Sequence, residues 1–408
     1  MAGKRLLIMS LHYPPEPAGN APYVGALAAG LFERGYAVAA YVAHPHYPDW
    51  KIWPTYGQWR RREILDGVAV ERLLHYVPRP PRGIRRLVSE LSFGLRLLTA
   101  RLPRDGTAIV VSPALFASAL GVLRIRLARK RWPVVVWVQD IYTLGLVETQ
   151  EGGGFSTRIT KAVERLVMRS ADRVVVIHPR FGEYAVTQFG VDPSRIRVIR
   201  NWTHLDPPPR VTPAEARAAL GWPCDMTLVV HTGNMGAKQG LENVIKAARL
   251  ADQRCIPLMF VLVGDGSERA KLMQLGDGIQ RLMFVDPLND RDYRYALAAA
   301  DCLLVNERPG VAAMSVPSKL TSYFNASRPV LAATDPKGIT ASEVERAGAG
   351  VVVSAGSPEE LLATALELTG DRARCSTYGE AGYRFSQEYL SAGAAIDGFE
   401  RVIEELGA

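Results

Sequence analysis

The feature that most constrains this chain is an alternation of short β-branched runs with helix-length amphipathic stretches, kept up over almost its whole length. That pattern predicts βα units wound around buried parallel sheets. In the first half the expected strands are Arg5–Ser10, Val38–Ala43, Val68–Leu74, Ile109–Ser112, Val134–Gln139, Arg173–His178 and Ile196–Ile199. Asp206-Pro207-Pro208-Pro209 then interrupts, a stiff segment that neither a helix nor a central strand accepts. The pattern restarts with Thr212-Pro213-Ala214-Glu215, a capping box with proline at the first helical position. Strands are expected at Thr227–Thr232, Leu258–Val263, Leu282–Val285, Cys302–Asn306, Pro329–Ala333 and Gly350–Val353, and Ser357-Pro358-Glu359-Glu360 reads as another cap. The fold class is therefore α/β, with two Rossmann-like doubly wound domains facing across a cleft. The expected divisions are 1–205, 206–385 and a C-terminal helix, 386–408, that returns to the first domain.

A length of 408 residues suits two domains of about 200 each. Cys224, Cys255, Cys302 and Cys375 are scattered, with no CxxC, which speaks against a zinc site or a disulfide framework and for a reducing, cytoplasmic setting. The longest apolar run, Ala108 to Leu123, is broken by Ser112, Pro113 and Ser118 and is too short to span a bilayer. Lys4 and Arg5 precede a short apolar run that reads as a first strand rather than a leader. A net charge of +8 admits anionic partners without choosing among phosphates, nucleic acid and lipid.

Three stretches carry candidate chemistry. Gly19 and Asn20 close the first βα turn, where glycine admits close backbone approach and asparagine can cap the helix; the spacing is not GxGxxG. In the second half, Thr232-Gly233-Asn234-Met235-Gly236-Ala237-Lys238-Gln239-Gly240 joins a strand to a helix. It aims backbone N–H groups and an ammonium at one point, as a diphosphate requires, or it is a turn with a solvated lysine. Gly264-Asp265-Gly266 closes the next strand, and Phe284 and Val285 end the one after. Ser318-Lys319-Leu320 opens a helix, and a lysine there opposes the macrodipole unless an anion compensates.

The segments PPEPAGNAPYVGALA, AHPHYP, WVQD, ADRVVVIHPRF, NW, TGNMGAKQGLENVIKAA, LVGDG and VPSKL resemble, in order, those of family 4 glycosyltransferases, most of all the colanic acid biosynthesis subgroup. The resemblance implies a GT-B fold and retaining, metal-independent transfer from a nucleotide diphosphate sugar, UDP- or GDP-linked, that acts as co-substrate with no further cofactor. It places the nucleotide on the second domain and a sugar, glycan or lipid-linked acceptor on the first. It gives Lys238 and Lys319 to the diphosphate, with Gly19 beside it. Gly264, Asp265, Phe284 and Ser318 would line the nucleotide, and Gln139 and Asp140 would lie near the transferred sugar. Asn20, Gly233, Asn234, Gly236, Gly266, Val285 and Leu320 complete the candidate binding set.

The chain departs from the broader family at Asn234 and Gln239, where an arginine and a lysine are usual, and at Gln139, where a histidine is usual. The paired glutamates fall at Met314 and Ser322, with Glu307 as a stand-in. Two other functions stay open at this level: a nucleotide-sugar epimerase, and a non-catalytic nucleotide-sugar-binding partner.

Asp290-Arg291-Asp292 reads as helix capping rather than a metal-binding DxD, and His12, His44 and His46 lack metal-ligand spacing and an accompanying carboxylate. In Arg79 to Arg104, seven arginines accompany one acid, Glu90. A helical wheel puts Ile84, Leu87, Val88, Leu91, Leu95, Leu98 and Leu102 in the core and Phe93 and Leu97 on the far side, beside Arg86 and Arg101. That surface is either an anchor for anionic lipid at the inner membrane face or a packed helix with solvated arginines. No nucleic-acid module is present.

Overall fold

The structure, a computed structural model, describes residues 4–17, 19–80, 83–144, 154–205, 207–310 and 318–407. It divides into two units, Met1–Trp202 with Ala392–Ala408, and Thr203–Ser391.

In the first unit the strands are β1 (Arg5–Ser10), β2 (Ala37–Ala43), β3 (Arg60–Leu65), β4 (Val68–Leu73), β5 (Thr107–Ser112), β6 (Val134–Val138), β7 (Arg173–Val176) and β8 (Ile196–Val198). The helices are α1 (Ala21–Glu33), α2 (Gly83–Leu98), α3 (Leu115–Arg126), α4 (Phe155–Ser170) and α5 (Pro179–Phe189). The sheet order is β3-β4-β2-β1-β5-β6-β7-β8, parallel except where β3 pairs antiparallel with β4. Strand β3 is an addition to the expected set. Its sequence, RRREIL, has no apolar run, because it is a charged edge strand, the kind that resists edge-to-edge pairing. The Asp66-Gly67 turn, with both residues at positive φ, was the available hairpin signal.

The second unit holds β9 (Thr227–Thr232), β10 (Leu258–Val263), β11 (Leu282–Val285), β12 (Cys302–Asn306), β13 (Val330–Thr334) and β14 (Gly350–Ser354). Its helices are α6 (Pro213–Leu220), α7 (Glu242–Gln253), α8 (Arg269–Leu275), α9 (Asp290–Ala299), α10 (Lys319–Asn325), α11 (Ile339–Ala347), α12 (Pro358–Gly370) and α13 (Arg372–Tyr389). The all-parallel order β11-β10-β9-β12-β13-β14 reverses between β9 and β12, the topological switch point where doubly wound sheets bind ligands.

A last helix, α14 (Ala392–Glu405), belongs to the first unit. Phe399 packs 4.8 Å from the Trp137 ring, Ile396 sits where a Cβ on Gly30 would fall, and Arg34 binds Asp397 and Glu400. The return begins at Ala392 rather than 386, because α13 runs on to Tyr389, and the first crossing falls after Trp202, whose ring stacks on Trp137, rather than after 205.

Two expected caps differ. Asn20 precedes α1 with helical backbone angles and its side chain makes no cap bond, and Ser357 makes none at α12. Thr212 and Glu215 do form the capping box, and Asn289 caps α9 with Asp290 and Asp292 in its first turn.

Helix α2 is rotated from the expected orientation. Phe93 and Leu97 are buried, whereas Ile84 (78% exposed), Val88, Leu91 and Leu95 (58%) face solvent. Two non-aliphatic residues decide this. Gly94 lets α3 come so close that a Cβ would lie 2.5 Å from Leu120, and buried Glu90 accepts bonds from Phe116 N (3.1 Å) and the Tyr142 hydroxyl (2.5 Å). A hydrophobic wheel ranks leucine above both and so selects the wrong face.

Candidate active site

At the carboxyl edge of the second sheet, two glycine loops lie backbone on backbone. Gly233 (φ +111°) and Gly264 (φ +131°) occupy conformations that favour glycine, and a Cβ on Gly264 would sit 2.1 Å from Gly233 O. Gly233 N donates to Val263 O (2.9 Å), Gly264 N to Val285 O (2.9 Å) and Met235 N to Asp265 O (2.8 Å), so the ends of β9, β10 and β11 are tied together. Gly266 packs against Asn234 and Met235, and Asp265 accepts from Gly266 N rather than capping α8. Phe284 and Val285 are half-buried at the end of β11.

The rest of the loop is fixed from β12. Asn306 donates to Gln239 O (2.8 Å) and Gly240 O (3.0 Å) and accepts from Asn243 (2.9 Å), while Arg308 N donates to Lys238 O (2.8 Å). Gln239, at the position of the usual lysine, accepts from Gly236 N (3.1 Å). Lys238 lies exposed on the 3₁₀ turn Ala237–Gln239. Asn243 lies in the GLENV part of the loop segment and Asn306 in no motif, and only the parallel strand order brings the two side chains together.

Lys319 opens α10, and its Nζ lies 3.3 Å from His231 Nε2. His231 is buried on β9 and donates Nδ1–H to Leu304 O (3.1 Å), leaving Nε2 to accept from the lysine. Burial, reinforced by the lysine's charge, pushes the imidazole well below its ordinary pKa, so it is neutral. Burial also lowers Lys319 to about 8, partly offset by Glu307. Glu307 accepts from the hydroxyls of Thr334 and Thr340, the latter at 2.6 Å. A lysine with a weakened hold on its proton, at the sheet's switch point, is placed to receive an anion. Ser318 is exposed beside it; the Leu320 side chain belongs to the hydrophobic core, which leaves only its backbone for a ligand. Met314 and the Val316-Pro317 part of VPSKL lie outside the described residues, and Ser322 is half-buried on α10.

In the first unit, Gly19 (φ +68°) turns the chain into α1 near the Tyr47 ring. Gln139 follows β6 and accepts from Asn201 (2.7 Å), with its own amide nitrogen buried and without a partner among the described residues. Asp140 beside it is exposed and accepts from Ile141 N. The expectation that no carboxylate accompanies the histidines is corrected here. Glu16 joins His12 and His46 in a group whose ligand atoms all lie within 4.8 Å of one another, because the turn after β1 meets the end of β2. Among the described residues no helix is long and apolar enough to cross a membrane.

Two Rossmann-like sheets of this strand order, with glycine loops and a lysine at the switch point, define a protein of the GT-B class. Residues 18–202 match the glycosyl transferase 4-like domain and residues 227–371 match glycosyl transferases group 1. The chain is 32% identical over 335 residues to the colanic acid biosynthesis glycosyl transferase WcaI of Escherichia coli, covering 78% of this chain and 81% of that one. Among solved structures, sucrose-phosphate synthase from Thermosynechococcus elongatus superposes with TM-score 0.72 at 18% identity, over 99% of both chains. Anabaena HepE in complex with UDP gives 0.71 at 16% identity, over 98% of this chain and all of that one. This chain belongs to the family 4 glycosyltransferases and is a GT-B glycosyltransferase.

Proposed function

We propose that the protein moves a sugar from a nucleotide diphosphate donor to an acceptor in surface polysaccharide or glycolipid assembly, with retention of configuration and without a metal. The observation that carries the reading is Lys319, half-buried against neutral His231 beside the glycine loops. As the bond from the sugar C1 to the phosphate breaks, its electron pair goes to the departing diphosphate. That developing charge is what Lys319, Lys238 and the N–H groups of 233–240 would stabilise. The acceptor hydroxyl bonds to C1 on the same face and passes its proton to a phosphate oxygen. The nucleotide would lie along Gly264, Asp265 and Phe284, and the acceptor on the first unit near Gln139 and Asp140. The UDP bound by HepE and the colanic acid role of WcaI support the donor class and the pathway class.

The same reading gives the protein a peripheral seat on the inner face of an anionic membrane. Ile84, Val88, Leu91 and Leu95 form an exposed apolar stripe on a helix whose exposed charges are arginines, the composition of an interfacial helix.

The test incubates the protein with UDP- and GDP-sugars and a lipid-linked glycan extract, with and without EDTA, and reads the product anomer by NMR. Transfer with the donor's anomeric configuration, undiminished by EDTA, is expected. Epimerised donor without transfer would support the epimerase, and nucleotide binding without turnover the non-catalytic partner.

A further inference from the structure

Three neighbouring parallel strands of the first sheet are each followed by histidine: β1 by His12, β2 by His44 and His46, and β4 by His75. The rings of His12 and His46 stack at 5.2 Å, and those of His46 and His75 meet at 4.9 Å. His46 and His75 are buried, and burial lowers both pKa values, so both are neutral. His12 differs: its side chain is 16% exposed and is held by a carboxylate.

That carboxylate, Glu16, is fully committed. Its Oε1 accepts from His46 N (2.7 Å) and Tyr47 N (2.9 Å), and its Oε2 bonds His12 Nδ1 (2.7 Å). Burial raises the Glu16 pKa, but the hydrogen bonds from the His12 ring and the His46 backbone outweigh it, and the group stays ionised. His46 spends Nδ1–H on His44 O (2.8 Å). A metal on His12, Glu16 and His46 would have to displace these bonds, so the cluster is complete as a hydrogen-bond network. An ionised Glu16 makes His12 Nδ1 the donor and leaves the lone pair on Nε2.

Beside His12 stands an aromatic corner. The Tyr47 ring is edge-on at 5.3 Å, and Trp50 lies 6.2 Å beyond it; both are half-exposed. A hydrogen-bond acceptor next to exposed rings suits a pyranose, which offers an apolar C–H face to the rings and a hydroxyl to the imidazole.

We infer that His12 Nε2 accepts a hydrogen bond from a hydroxyl of a neutral sugar acceptor stacked on Tyr47 and Trp50, with Glu16 as the positioning residue that fixes the His12 tautomer. This rests on the transferase reading and adds an acceptor subsite to it. Glu16→Gln is a near-isosteric test. The two backbone N–H groups still require an oxygen, so the new amide NH₂ faces His12 Nδ1 and forces the opposite tautomer, with Nε2 protonated.

The experiment records imidazole nitrogen NMR spectra of the full chain labelled at histidine. Wild type, Glu16→Gln and His12→Ala are titrated with n-octyl glucoside, galactoside and fucoside below micelle formation, and UDP and GDP thermal shifts are run in parallel. Expected are the Nδ1–H tautomer of His12 in wild type and the reverse in Glu16→Gln. A glycoside should move the His12 Nε2 signal and bind about tenfold more weakly to His12→Ala, as for one lost hydrogen bond. In Glu16→Gln the protonated Nε2 would instead donate to the hydroxyl oxygen, so its signal should move as a donor's. Nucleotide shifts should be the same in all three proteins, which separates a lost subsite from a lost fold. An Nε2–H tautomer in wild type, glycoside binding indifferent to His12→Ala, or stoichiometric Zn²⁺ that displaces the His12–Glu16 bond would overturn the inference. Nucleotide binding with no glycoside response sinks the subsite alone; no response to either sinks the transferase reading with it.

Discussion

The Nζ of Lys319 stands 3.3 Å from Nε2 of His231, a buried imidazole that is itself fixed by Leu304 O. This cation has a neutral hydrogen-bond acceptor for a neighbour, and burial leaves it short of solvation. In the proposed function, the diphosphate of the donor would supply the missing counter-charge.

That relationship has a pH signature. Burial lowers the pKa of the Lys319 ammonium from the ordinary lysine value of 10.5 to about 8. Below pH 8 the fold carries the cost of a charge in a poorly solvated place, and the cost is relieved as pH rises towards 10.5. Diphosphate binding favours the charged form, so it should take up protons between those two values. Calorimetry of UDP or GDP binding in buffers of different ionisation enthalpy should show this uptake in wild type and not in Lys319→Met.

Gly264 is where two loop backbones touch. Gly264→Ala places a Cβ 2.1 Å from Gly233 O at φ +131°, a backbone clash in a strained conformation. The expected cost exceeds about 1 kcal/mol, with loss of nucleotide binding. Gly370→Ala, on a helix with open space around it, should change neither. Denaturant midpoints of the two variants make the comparison.

The rotated face of α2 makes paired predictions. Phe93→Ala, in the core, should cost about 3–5 kcal/mol. Leu95→Ser with Ile84→Ser, on the exposed stripe, should leave the denaturant midpoint within about 0.5 kcal/mol of wild type. The double variant should nevertheless co-sediment less with vesicles rich in anionic lipid. Unchanged co-sedimentation would leave α2 without a membrane role.

Most of the fold is legible in the sequence because buried parallel strands are nearly continuous apolar runs, such as VVVWV in β6 and LMFVLV in β10. Strand β3 escapes because it is a half-exposed edge strand held by its antiparallel ladder to β4, with Arg60 and Arg62 paired to Glu71 across the hairpin instead of an apolar run. The positions of the glycine loops and of Lys319 are readable in the sequence, since they follow predicted strands or open a predicted helix. His231, Asn243, Asn306 and Glu16 are not, because each acquires its role from a partner far away in sequence. Glu16, for example, meets His46 only once β1 and β2 pair. The orientation of helix α2 is not legible for a related reason: the close contact at Gly94 and the bond from Phe116 N to Glu90 depend on α3, which a single helix cannot reveal.

In the proposed function the second unit holds a nucleotide diphosphate through Lys319. The most direct test of this is a thermal-shift panel with UDP, GDP, ADP and dTDP on wild type and Lys319→Ala. A nucleotide at a hundred times its Kd stabilises by about 2.7 kcal/mol, a readily measured rise in midpoint. One base is expected to raise the wild-type midpoint, and Lys319→Ala, equally well folded, to lose the shift. An equal shift in both proteins would remove Lys319 from the site, and no shift with any nucleotide would contradict the donor assignment itself.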